Sequence, residues 1–159
     1  MNLDALLKQA MELEKSQAAI YKGLEKKFYF SKEISQFWEG MAEDERGHYE
    51  SIVKMHSQLK HDQLSAEVSN DLYNMVCKGL RELKSSRLKE VFDLDDACNL
   101  ANEVEDYETK PVFEFVHTEF MRDSRLEISN IILAHLDKLA SFLDRFGLSS
   151  ERKRIKAIS

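Results

Sequence analysis

Glu45-Arg46-Gly47-His48 lies in the middle of a stretch, Ile34 to Leu59, whose apolar residues recur at helical spacing. Residues three apart on a helix share a face, so this carboxylate and this imidazole can reach one ion. The apolar stripe runs Ile34, Phe37, Trp38, Met41 and Ala42, then passes through Glu45 and His48 to Ile52, Val53 and Leu59. The two polar residues therefore interrupt a core-facing stripe instead of lying opposite it. Burying a carboxylate is costly unless it is paired or ligated, so the placement points to a buried ion site.

Upstream, residues 3–29 read as a first helix, with Leu3, Leu6, Leu7, Ala10, Leu13, Ala18, Tyr21, Leu24 and Phe28 on one period. A break at Phe30-Ser31 separates the two helices, and Ser31 is the natural N-cap of the second. Glu14 and Glu45 are equidistant from that break, so an antiparallel hairpin sets them level. Glu14, Glu45 and His48 then form an oxygen-and-nitrogen donor set suited to iron, manganese or zinc.

Downstream, residues 61–92 form a long connection. It carries an amphipathic helix at about 65–86 with Val68, Leu72, Val76, Leu80 and Leu83 inward. A third helix is expected from near Asp95 and a fourth from near Ser124 to about Phe146, with Gly147 as its stop. The spacing predicts an all-α four-helix bundle over 1–146, made of two antiparallel hairpins at about 3–60 and 95–146. Residues 147–159 read as a mobile tail that includes Glu151-Arg152-Lys153-Arg154.

Composition agrees. The 159 residues hold one proline and five glycines and are rich in helix formers. The net charge of −6 argues against nucleic acid or an anionic membrane as partner. No apolar run is long enough to span a bilayer, and no secretory signal opens the chain. Cys77 and Cys98 are too far apart for a thiolate knuckle and read as reduced cytoplasmic thiols. Phosphate-loop and nucleophile-elbow motifs are absent from the sequence.

The chain also repeats itself. Gln9-Ala10-Met11-Glu12-Leu13-Glu14 parallels Leu100-Ala101-Asn102-Glu103-Val104-Glu105, and Glu33 to Trp38 parallels Glu127 to Ile132. Ala10 to Glu14, Tyr21, the run from Ile34 to His48, and Ala101 to Glu105 together resemble the ferritin-like domain of rubrerythrins. That resemblance implies a non-haem di-iron site, with one Glu each from helices one and three and Glu-x-x-His from helices two and four. Carried onto this chain, it implies Glu14 as a terminal ligand, Glu45 as the bridge, His48 as a nitrogen ligand and Glu105 as the third-helix carboxylate. It also implies iron as cofactor, in one or two ions, and redox chemistry with peroxide or dioxygen. Family members commonly pair as homodimers. The four-cysteine rubredoxin module cannot be built from two cysteines, so a separate electron donor is expected. Pro111 is expected to kink the third helix without ending it.

The fourth helix departs from the pattern. Glu114-Phe115-Val116-His117 is the other literal Glu-x-x-His, while Glu127-Ile128-Ser129-Asn130 has asparagine for histidine. The turn signal Arg122-Asp123-Ser124 favours Glu127 as a capping-box residue, with Glu127 or the Glu114–His117 pair as fourth-helix ligands the alternatives. The repeat then places Leu139 and Phe142 where ligands would stand, leaving the second position poor in donors. His135, one turn before Leu139, is a candidate substitute, with a core or surface histidine as the simpler reading. Two function classes follow: a rubrerythrin-like iron protein, or a ferritin-like bundle that has lost catalysis and acts as a structural or interaction module. Tyr21 and Tyr107 are candidates to line the site.

Overall fold

The computed structural model describes the backbone of residues 1–121, 125–147 and 149–159, and side chains outside 122–133 and 148–151. Helices α1 (Leu3–Lys27) and α2 (Lys32–Gln58) form the first hairpin. The Asn2 side chain caps α1 by accepting from the Ala5 amide, and Ser31 caps α2 by accepting from Ile34, as expected. The α2 stripe is buried at Ile34, Trp38, Met41, Ala42, Glu45, His48 and Ile52, whereas Val53, expected inward, is 39% exposed.

The connection starts with a single turn, α3 (His61–Leu64), and continues in α4 (Asn70–Glu82), the expected extra helix. Val76 and Leu83 are buried on α1, and Val68 nearly so. Gly79 lets α4 approach α1 closely there. A Cβ on it would meet Leu13 at 3.0 Å and Tyr107 at 3.1 Å, tighter than ordinary contact. A 3₁₀ segment (Ser85–Glu90) leads into α5 (Leu94–Asp106).

The third bundle helix does not kink and continue; it stops. α5 ends at Asp106, and α6 (Lys110–Phe120) begins anew with Pro111 in its first turn. Proline has no N–H to offer the carbonyl four residues back, that of Tyr107, and its ring disfavours helix in the residue before it. Gln17 from α1 takes up the slack: its Nε2 donates to the Val104 carbonyl at 3.1 Å and the Tyr107 carbonyl at 3.5 Å. A buried helix end thus keeps its acceptors satisfied.

α7 (Arg125–Arg145) is the fourth bundle helix, antiparallel to α2, and Gly147 ends it at a φ of 63°. Phe142 stacks on Phe37 with centroids 3.7 Å apart, and its ring meets Trp38 edge-on at 5.3 Å. Beyond Gly147 the chain was expected to be mobile. Instead a short α8 (Ser149–Arg154) turns it back to the bundle. The Ala157 amide donates to Phe92, the Ile158 amide to Lys27, and Leu94 to Ile155, while Arg152 pairs with Asp95 at 3.2 Å. Among the described residues, no helix is long and apolar enough to cross a membrane.

Candidate metal centre

Four helices deliver the site. Glu14 comes from α1, Glu45 and His48 from α2, Glu105 from α5, and His135 from α7. Two donor groups meet within 4.8 Å: Glu14 with Glu45 and His48, and Glu45 with Glu105 and His135. That span is close to the roughly 4.2 Å between ligands placed opposite on an ion with bonds of about 2.1 Å. Glu14, Glu45, His48 and His135 are at most 3% exposed, so bulk water is shut out.

Glu45 joins the groups. Its Oε2 lies 2.9 Å from His48 Nδ1, and its Oε1 lies 3.2 Å from His135 Nε2. Glu14 Oε2 is 3.6 Å from His48 Nδ1. Glu105 Oε1 is 2.9 Å from His135 Nε2 and also accepts from the Tyr21 hydroxyl at 2.5 Å. Thr109, in the gap between α5 and α6, donates its hydroxyl to Glu14. Asp44 orients the far imidazole: its Oδ2 lies 3.0 Å from His135 Nδ1 and 2.6 Å from Lys138 Nζ. That bond keeps the proton on Nδ1 and turns Nε2 to the centre.

The electrostatics show carboxylates in want of positive charge. Burial opposes charge on His48, but the carboxylates of Glu14 and Glu45 beside it outweigh that and raise its pKa to about 10. Burial likewise opposes charge on His135, yet Asp44, Glu105 and Glu45 raise it to about 12. Burial would raise Glu45, but the two imidazoles overrule it and hold the carboxyl low. Glu14 moves the other way: burial dominates, the neighbouring Glu45 adds to it, and the carboxyl is held up. Each imidazolium sits where a cation would sit.

Glu108, in the same gap as Thr109, is half-buried and is lifted to about 7, first by burial and then by the charge of Glu105. Among the described residues its Oε1, like Glu14 Oε2, is buried without a hydrogen-bond partner. The Glu14 oxygen, 3.6 Å from His48 Nδ1, has lone pairs left over, and a divalent ion would use them. The residues present therefore fit iron, and the mixed oxygen-and-nitrogen set equally accepts manganese or zinc.

The expected residues Glu14, Glu45, His48 and Glu105 thus come together. The other fourth-helix readings separate. Glu114 is exposed and faces Lys110 at 3.8 Å, while His117 Nδ1 lies 3.2 Å from the Met121 carbonyl at the end of α6. The side chain of Glu127 lies outside the described residues. Leu139 and Phe142 occupy no ligand positions; they are buried in the core one and two turns past His135. His135, read more simply as a core or surface histidine, belongs to the centre. A signal for it was present. His135 is the histidine of a Glu-x-x-His whose glutamate position holds Ile132. Glu108, three residues after Glu105, stands outside both donor groups.

The Rubrerythrin family model matches residues 5–118, more than two thirds of the chain. No curated protein and no solved structure matches it. The family-model match spans α1 through most of α6, hence every carboxylate of the centre, and on its strength this chain belongs to the rubrerythrin family of ferritin-like di-iron proteins.

Proposed function

We propose that this protein is a non-haem iron oxidoreductase of rubrerythrin type that reduces peroxide or dioxygen with electrons from a separate donor. The observation that carries this reading is the divided carboxylate of Glu45, one oxygen on each donor group. Glu14, Glu45 and His48 would hold one ion, and Glu45, Glu105 and His135 the other. Bound there, iron would supply the one-electron valence changes that reduction of an oxidant requires.

The chain's own residues do the rest. Glu45 would be shared between the two ions, His48 and His135 would give up their protons to ligate, and Asp44 keeps His135 in the ligating tautomer. Glu108 would supply the carboxylate that Ile132 withholds on the fourth helix. With Glu14, Glu45, Glu105 and Glu108 ionised, two divalent ions would leave the buried centre neutral, which low-dielectric burial favours. Thr109 and Tyr21 donate hydrogen bonds to Glu14 and Glu105 and limit how these carboxylates turn.

The second reading is a bundle that has lost catalysis, and Ile132 favours it: without a fourth-helix carboxylate the second position is weakened. One experiment separates the two. Protein purified anaerobically and loaded with ferrous iron should bind two ions per chain and turn ferric rapidly on adding hydrogen peroxide. A chain that takes up no iron at Glu14, Glu45 and His48 would be a scaffold.

A further inference from the structure

Four of the six large apolar side chains exposed among the described residues gather at one end of the bundle. Tyr29 and Phe30, 69% and 51% exposed, form the tip of the α1–α2 hairpin. Phe92 and Ile158, 68% and 38% exposed, stand beside it. Hydrogen bonds pin these segments together. The Ile158 amide donates to the Lys27 carbonyl, and the Ala157 amide to that of Phe92. Lys27 Nζ donates to the Val91 and Ile158 carbonyls, each at 3.4 Å. Phe30 leans on the buried Phe28, with ring centroids 6.1 Å apart. Met1 and Val53, the other two, lie towards the opposite end of the first hairpin.

The charge left over around this tip is positive. Lys26, Lys32, Lys89 and Lys156 are exposed, and none has a carboxylate partner among the described residues. The acids nearby are engaged: Glu25 with Lys22, Glu33 with Arg145, and Asp93 and Asp96 in accepting from backbone amides. The net charge of −6 argues against an anionic surface as partner only if it is spread evenly, and here it is concentrated elsewhere. Glu45 lies fifteen residues beyond Phe30, about 22 Å along α2. At physiological salt the Debye length is roughly 8 Å, so the acidic centre repels an anionic surface only weakly when the tip faces it.

We propose that this end of the bundle docks on an anionic phospholipid surface. Tyr29, Phe30, Phe92 and Ile158 enter the headgroup layer, and the lysines around them meet lipid phosphates. The tip is convex, a turn between two helices. A protein partner would need a matching hollow, whereas fluid lipid closes around an apolar tip of any shape. Lysine stems lie along apolar surface while their amines stay at the polar level, which suits this arrangement. The contact is superficial, since no helix among the described residues is long and apolar enough to span a bilayer. Docking uses no residue of the metal centre, so metal-free and loaded protein should dock alike.

Flotation of the full chain with lipid vesicles tests this. The protein should float with vesicles of equal parts phosphatidylcholine and phosphatidylglycerol and stay behind with phosphatidylcholine alone. Neutralising Lys26, Lys32 and Lys89 to glutamine should weaken binding about fivefold per lysine. Tyr29→Ser with Phe30→Ser should weaken it further, while Lys54→Gln, far along α2, should change nothing. In Phe30→Trp the introduced indole should be quenched by brominated acyl chains, and the buried Trp38 should not. No flotation with the mixed vesicles overturns the proposal, as does binding that Lys54→Gln weakens as much as the tip variants do. Binding that polyglutamate displaces completely, without dependence on Tyr29 and Phe30, would assign the face to an acidic protein and overturn the lipid assignment. Circular dichroism of each variant confirms that the bundle is intact.

Discussion

Asp44 Oδ2 lies 3.0 Å from His135 Nδ1, and the same oxygen is 2.6 Å from Lys138 Nζ. The imidazole from the fourth helix is thus held by the residue immediately before the bridging Glu45 on the second. Replacing Asp44 by alanine frees the ring and its tautomer. The expected outcome of Asp44→Ala is a loss of about 10–100-fold in affinity for the second ion, with the first ion little changed. A two-phase titration with cobalt(II) or ferrous iron reads both affinities. An equal loss at both positions would show that Asp44 does not act through His135.

Metal uptake should release protons. The metal-free centre holds His48 at about 10 and His135 at about 12, so both are charged near neutrality and both must deprotonate to ligate. Affinity should therefore rise with pH, and proton release should be measurable by calorimetry in buffers of different ionisation enthalpy. Glu14 and Glu108 have raised pKa values in the metal-free fold, so their contribution to stability is present below the usual carboxylate range. It is lost as pH climbs through their folded values, about 7 for Glu108. Glu45, held low at about 2, contributes above the usual range and loses that only in strong acid. The imidazoles contribute fully below their ordinary value of 6.5 and lose that progressively as pH rises towards about 10 and about 12. Thermal melts in chelator should thus show metal-free stability falling between about pH 5 and 8, while the iron-loaded protein gains over the same range.

Gln17 bridges the break between α5 and α6 by donating to two backbone carbonyls from inside the core. Gln17→Leu keeps similar bulk but takes the side-chain donor from the Tyr107 carbonyl and leaves Val104 with the Tyr107 amide alone. It should cost about 1–3 kcal/mol. Denaturant unfolding measures this directly. Because Glu108 and Thr109 sit in the same break, the variant should also weaken metal binding.

The first hairpin was legible because its signals are local. The apolar period, the Ser31 cap and the level placement of Glu14 and Glu45 all lie within consecutive residues, and the structure keeps them. The fourth helix was not, because its register is set elsewhere. Turn chemistry at Arg122-Asp123-Ser124 and the internal repeat align His48 with Phe142. The stacking of Phe142 on Phe37 instead draws α7 along so that His135 faces the centre. The break after Asp106 depends on a donor from α1 that is distant in sequence, so Pro111 alone suggested only a kink. The docking of residues 155–158 is made by backbone hydrogen bonds, which leave no side-chain pattern to read.

Phe142 tests the register without touching a ligand. Its ring is 6% exposed and packs on Phe37, Trp38 and Phe146. Phe142→Ala should cost about 3–5 kcal/mol by leaving a cavity between α2 and α7. The second ion should suffer more than the first, since α7 brings His135 only to the second. Parallel titrations of the two ions, at a temperature where the variant remains folded, check this.

Ile132→Glu asks whether the atypical fourth helix limits the centre. Ile132 precedes His135 by three residues, the spacing that places Glu45 and His48 on one face of α2. A carboxylate at this spacing would add an oxygen ligand to the position served by Glu45, Glu105 and His135. Without metal it would also add a negative charge to an already acidic buried cluster, at a cost that like-charge repulsion and burial both impose. The expected result is a metal-free protein of lower melting temperature and an iron-loaded one that binds the second ion more tightly than the parent. Metal-free and iron-loaded melts, with the binding isotherm, separate the two effects. Tighter binding would mean that Glu108 had only partly replaced the missing carboxylate; unchanged affinity would mean that Glu108 already fills that role.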